Sequence, residues 1–329
     1  DVASGACKIL VGTHALLEDP VAFFRLGLVV VDEQHRFGVR QRNRLLGKGL
    51  QPHLLTMTAT PIPRTLALSL HGDLDVSQID ELPPGRTPIR TAMITGSNRE
   101  EAYELIREEV EKGQRAYVVL PLVEESEKMD LRSAVDVHRQ LADEVFPDLQ
   151  VGLLHGRLAS ADKQAVIKAF ACGETSVLVS TTVVEVGVDV PEASVMVIDH
   201  ADRFGLAQLH QLRGRVGRGA AASHCLLIND SRNPLARQRL EVLVRSTDGF
   251  EIAEMDLRLR GPGQVLGTRQ SGLPDLALAS LADDGSVLEE AREEAADILR
   301  EDPELRDHVI LSRLLDEQRS RVTSAAQLN

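Results

Sequence analysis

No stretch of the 329 residues approaches the roughly 20 consecutive apolar positions that a membrane-spanning helix needs, which excludes a helical membrane protein. Cysteine is scarce. Cys7, Cys172 and Cys225 stand far apart, without the paired spacing of a zinc site or the density of a disulfide framework. A reducing, cytoplasmic setting is therefore expected. The opening residues from Asp1 carry neither a basic stretch nor an apolar targeting core, and the chain is expected to have lost its natural N-terminus. No short-period repeat is present, and nowhere is there a Gly-x-x-x-x-Gly-Lys-Ser/Thr loop of the kind that cradles phosphates. Positive charge is also in short supply, with 37 Lys and Arg against 50 Asp and Glu, a net of −13. Phosphate binding is largely electrostatic, so this balance argues at first against nucleic acid. Its distribution matters more. Residues 283 to 307 hold 11 acidic and 3 basic side chains, which leaves only −5 for the rest of the chain and room for a locally basic groove.

What remains is ordinary globular material, 43% hydrophobic and 26% charged, long enough for two domains and an appendage. Short apolar strands alternate with helical stretches, first at KILVGT (8–13), GLVVVD (27–32) and HLLTMTA (53–59). Runs of this kind belong to parallel sheets covered by helices on both faces. The segment DELPPGRTP then breaks regular structure and predicts a boundary near residues 82 to 97. A second alternation follows, with strands at 115–123, 151–156, 176–181, 194–199 and 223–228 and helices at 98–112, 131–145 and 160–171. Gly113 suits the C-terminal cap of the first of these helices. Beyond about Asn229 come helical patches, the Gly-rich run GPGQVLGTRQSG (261–272) and an acidic helix at 286–301. The expected fold class is α/β, with domains at 1–90 and 91–230, a helical hairpin and loop at 231–280 and an acidic helical tail at 281–329.

Three segments carry chemistry. LVVVDEQH (28–35) is an apolar strand ending in Asp-Glu, at the strand edge where α/β sheets place ligands. Asp32 suits Mg²⁺, and Glu33 suits activation of an attacking water. TATPIPRT (58–65) sets Thr58 and Thr60 in a turn stiffened by Pro61 and Pro63, where their hydroxyls can connect the acidic box to the second domain. QLRGRVGR (211–218) holds Arg213, Arg215 and Arg218 between glycines, and arginine forks are what a phosphoryl group in transfer requires.

In order and spacing, VGTHALL, DEQHRFGVRQR, MTATPIPRTLALSLHGDLDVSQIDELPPGR, LLHGRL, TTVVEVGVDVP, FGLAQLHQLRGRVGRG and LRLRGPGQVLGTRQSG resemble the RecG helicases of superfamily 2. The resemblance covers nearly the whole chain. It implies two RecA-like helicase domains, the first truncated, with Asp32 and Glu33 facing finger residues Arg215 and Arg218 across a cleft. It implies nucleotide contacts at Gln211, Gly187 and Asp189, and DNA contacts at Thr13, His14, Thr181 and Thr182, with His155 and Gly156 near the DNA path. Residues 239–272 resemble the element shared with the transcription-repair coupling factor Mfd, which makes Arg239, Arg269 and Gln270 candidates for coupling hydrolysis to movement. ATP and Mg²⁺ are the implied ligands, and branched double-stranded DNA the implied partner of a monomer, with replication-fork proteins beside it. The missing phosphate loop and a junction-engaging wedge domain are expected upstream of Asp1, so this chain alone is expected to be inactive. An Mfd-type motor and a non-catalytic helicase-lobe module are the rival readings. DEQH and HGDLDVSQIDELPPGR favour RecG over the first, and the intact acids and fingers weigh against the second.

Overall fold

The computed structural model describes residues 1–34, 37–59, 75–79, 81, 86–121, 127–181, 189–260 and 285–326. The chain divides into two compact units, residues 1–61 and 62–329. In the first, β1 (Leu28–Val31) and β2 (His53–Thr56) pair in parallel from Leu28 with His53 to Val31 with Thr56, and α1 (Val39–Leu46) lies between them in sequence. Successive strand side chains point to opposite faces. Val29 and Val31 are accordingly buried, whereas Leu28 and Val30 are about half exposed on the other face.

The strand expected at residues 8–13 does not form, and Ile9 and Val11 are exposed. A strand exists only through its neighbour, and among the described residues no strand pairs with this segment.

The second unit is built on six parallel strands in the order β3, β8, β7, β4, β6, β5. They are β3 (Ile89–Ile94), β4 (Arg115–Val119), β5 (Val151–Leu154), β6 (Val177–Ser180), β7 (Ala193–Ile198) and β8 (Ser223–Ile228). Alternation splits the apolar runs between two cores. Tyr117, Val119, Met196 and Ile198 face one, and Ala116, Val118, Val195 and Val197 face the other. Helices α2 (Arg99–Glu111) and α3 (Glu127–Gln140) cover the second core through Ala102, Ile106 and Ala134. The first core takes Phe170 of α4 (Ser160–Cys172), Leu206, Leu209 and Leu212 of α5 (Leu206–Arg213), Leu240 and Leu243 of α6 (Pro234–Arg245) and Ile252 of α7 (Gly249–Arg260). The helix carrying the arginine motif and the hairpin after it thus share one face.

No strand is expected between DELPPGRTP and the helix at 98–112, yet β3 begins at Ile89 and lies on the sheet edge beside β8. Pairing supplies what propensity did not. Among the described residues two helices follow, α8 (Gly285–Glu301) and α9 (Val309–Ala326). Among the described residues no helix is long and apolar enough to cross a membrane.

Candidate functional site

In the first unit the chain turns sharply after β1. Glu33 adopts φ +52, a left-handed conformation that costs a side-chain-bearing residue about 1–2 kcal/mol. The Asp32 carboxylate accepts the Glu33 N–H at 2.9 Å, which fastens the turn. Gln34 N–H donates to the Met57 carbonyl at 3.0 Å, and Met57 N–H to Val31 at 2.8 Å. The acidic box is thereby tied to the backbone leading into half-buried Thr58. Thr60 lies outside the described residues. Asp32 is exposed and presents carboxylate oxygen, a hard donor that suits a Mg²⁺ completed by water and phosphate oxygens.

Thr13 and His14 are exposed, and both have local partners. Thr13 caps the short 3₁₀ turn His14–Leu17, its hydroxyl accepting the Ala15 N–H, while the His14 ring stacks on Phe37 with centroids 4.4 Å apart.

In the second unit, α5 ends at Arg213 and the chain turns through Gly214 to Gly219. Gly217 has φ +77, and a Cβ there would lie 2.8 Å from Ile89 Cγ1, so the turn needs glycine for both conformation and space. Gly214, by contrast, keeps a helical φ of −67. The three arginines part ways here. Arg213 does not project: it is 3% exposed, and its guanidinium donates to the carbonyls of Leu243 and Ser246, both at 2.8 Å. Those carbonyls lie at the C-terminal end of α6, where acceptors lack helical partners. Arg213 also meets His210 Nδ1 at 3.0 Å. Burial, then the Arg213 charge, push the His210 imidazole down to about 4, so the ring is neutral at pH 7 and Nδ1 can accept.

Arg218 lies at the surface and forms an ion pair with Asp189 at 3.1 Å, a carboxylate whose side chain is 67% exposed. Arg215 is half-buried beside it, and Gln211 is half-buried on α5. Under them Tyr117 is pushed up to about 12, chiefly by burial, with Arg215 and Arg218 pulling the other way. Two of the five implied nucleotide or finger residues, Arg218 and Asp189, thus touch directly. Gly187 lies outside the described residues.

Arg239 of α6 donates to the Asp202 and Phe204 carbonyls at 2.6 and 2.9 Å, which ties the hairpin to the loop ahead of α5. Together with Arg213 it fastens α6 at both ends of α5. Arg269 and Gln270 lie outside the described residues.

Thr181 follows β6 and is buried, 2% exposed, so its side chain does not meet solvent; Thr182 lies outside the described residues. His155, after β5, sits close to Arg157 and Lys163. Burial first, then these two charges, hold its imidazole below the usual range. This is a small basic cluster within an acidic chain.

One cluster escaped sequence reasoning. The Arg99 guanidinium bridges Asp199 at 2.6 Å and Asp230 at 3.3 Å, beyond the ends of β7 and β8, and Asp230 also accepts the Gly96 N–H at 2.7 Å. The apolar run SVMVID, ending in Asp199 as LVVVD ends in Asp32, was its one signal.

Comparison with known proteins fits this arrangement. Residues 98–220 match the helicase conserved C-terminal domain, and residues 246–327 match the C-terminal part of domain 3 of the ATP-dependent DNA helicase RecG. The chain is 62% identical over 307 residues to the ATP-dependent DNA helicase RecG of Synechocystis, covering 93% of this chain and 37% of the relative. It is also similar to a structure of RecG bound to a three-way DNA junction, with 46% identity and TM-score 0.67, covering 88% of this chain and 37% of that one. A likeness to yeast Dbp5 bound to RNA and ADP BeF3, at 15% identity and TM-score 0.50 over 85% of this chain and 66% of the other, shows the shared RecA-like helicase fold. The chain spans less than half the length of the curated relatives it matches. With its acidic turn, its arginine-bearing loop and a hairpin fastened to α5, this chain belongs to the RecG helicase family and corresponds to the C-terminal part of its members.

Proposed function

We propose that a full-length protein carrying this chain is an ATP-dependent, cytoplasmic translocase on double-stranded DNA that remodels branched junctions. The observation that carries this reading is Arg218, a guanidinium at the edge of a parallel sheet whose carboxylate partner, Asp189, is exposed and readily replaced. A surface ion pair of this kind contributes about 0–1 kcal/mol, so a phosphate can take its place. Arg218 and Arg215 then stabilise charge that develops on the transferred phosphoryl group, and Gln211, Gly187 and Asp189 line the nucleotide. Glu33 orients and deprotonates the attacking water. Asp32 would hold Mg²⁺, which neutralises phosphate charge when bound.

Thr58 and Thr60 report the state of the acidic box to the second domain. Thr13, His14 and Thr182 are assigned to the DNA backbone, supported by the basic cluster at His155, Arg157 and Lys163, whereas Thr181 is too buried for that role. Arg239, Arg269 and Gln270 convert domain movement into movement along the duplex. The phosphate grip comes from parts of the protein other than this chain, whose sequence has no phosphate loop.

The test is ATP hydrolysis by the full-length protein with no DNA, linear duplex and a three-way junction of equal length. Hydrolysis should be lowest alone and highest with the junction. Turnover indifferent to DNA would overturn the proposal.

A further inference from the structure

We propose that Arg86 is a positioning residue for the finger, holding the Gly214 carbonyl around which the Arg215–Arg218 loop turns. The proposal rests on the ATPase reading above and adds a residue to it. Arg86 stands just ahead of β3, 128 residues before its partner, and its Nη2 donates to Gly214 O at 3.0 Å. Arg218 Nε donates to the same oxygen at 3.3 Å. Gly214 caps α5, and carbonyls at a helix end have lone pairs with no helical donor, so one oxygen can serve both guanidiniums.

Placing two cations on one acceptor is unfavourable unless something keeps them there. Arg86 is depressed below its ordinary range first by burial and then by the Arg218 charge, with Asp189 partly offsetting both. The rest of the strap supplies the restraint. Thr87 Oγ1 donates to Ala221 O at 3.3 Å, and Ile89 packs where a side chain on Gly217 would have to go. Residues 86–89 therefore lie along the finger loop at three points, and Arg86 is the polar one nearest Arg218.

This gives Arg86 a specific task. When Arg218 leaves Asp189 and Gly214 O for a phosphate oxygen, the carbonyl keeps a charged donor and the loop keeps its shape while the finger moves. Arg86 itself touches neither the substrate nor the reacting atoms.

A double-mutant cycle in the full-length protein tests this, reading junction-stimulated ATP hydrolysis. Arg86→Ala should lower kcat roughly 10- to 100-fold, the range expected for losing a charged hydrogen bond that shapes the transition state. KM for ATP and nucleotide-free junction binding should stay unchanged. Arg86→Lys keeps a donor but loses the fork, so it should recover part of the rate. Arg86→Ala combined with Arg218→Ala should be no slower than Arg218→Ala alone. If the alanine variant unfolds, the same cycle run with Arg86→Lys reads the coupling. Wild-type kcat in the Arg86 variants beside a slow Arg218→Ala, or losses that multiply in the double variant, would overturn the Arg86 assignment alone. A wild-type rate in Arg218→Ala would remove the finger reading and this proposal with it.

Discussion

In a full-length protein carrying this chain, Glu33→Gln is expected to lower ATP turnover by roughly 10³-fold or more, within the range that a lost general base accounts for. Nucleotide binding should survive. The reason is local. Glu33 sits at φ +52, a strained position held by the Asp32 carboxylate on its own N–H and by the Gln34 to Met57 bond one residue on. Glutamine has the same length and the same backbone limits, so the turn persists and only the basic oxygen is lost. Strain of this sort belongs where a side chain must be aimed. Steady-state hydrolysis on a three-way junction, paired with calorimetry using Mg²⁺ and a non-hydrolysable ATP analogue, separates the two effects. Turnover close to wild type would move the base elsewhere, and lost binding would make Glu33 structural.

Arg218→Ala should be nearly as severe, with kcat falling roughly 10³- to 10⁵-fold, as expected on removing an arginine finger. KM for ATP should change little, because a finger acts on charge that develops during transfer. Among the described residues Arg218 gives up its Asp189 pair and a shared carbonyl, so the variant should remain folded. Arg213→Ala would be a different experiment altogether. That side chain is buried and holds the carbonyls of Leu243 and Ser246, so its loss would loosen the hairpin from α5. A large rise in KM with kcat intact in Arg218→Ala would mean that it grips ground-state nucleotide.

The division between Arg213 and Arg218 marks where sequence reading stops. Both are arginines in one eight-residue motif, and spacing alone assigned both to projecting charge. Only the packing of α6 and α7 on the face of α5 turns one inward. The strands of the second unit were easier, since VVL, VLVS and SVMVI are apolar on both faces and only a doubly covered parallel sheet buries such runs. β3 was missed because IRTAMI follows PPGRTP and carries Arg90 and Thr91, weak cues that edge pairing with β8 overrides. The segment KILVGT failed the other way, having strand composition but, among the described residues, no neighbouring strand. Arg99, Asp199 and Asp230 lie 100 and 131 residues apart, a distance across which no local pattern speaks. The motif residues stand out in the sequence because phosphate chemistry restricts which side chains can serve, whereas their hydrogen-bond partners are mostly backbone and leave no trace in composition.

The most direct test is strand release from a labelled three-way junction by the full-length protein, with ATP, with a non-hydrolysable analogue, and with Glu33→Gln in place of the wild type. The account predicts release with wild type and ATP only, while all three mixtures still bind the junction. Release that proceeds equally with the analogue or with Glu33→Gln would contradict it, because junction remodelling would then not depend on the chemistry assigned to this chain.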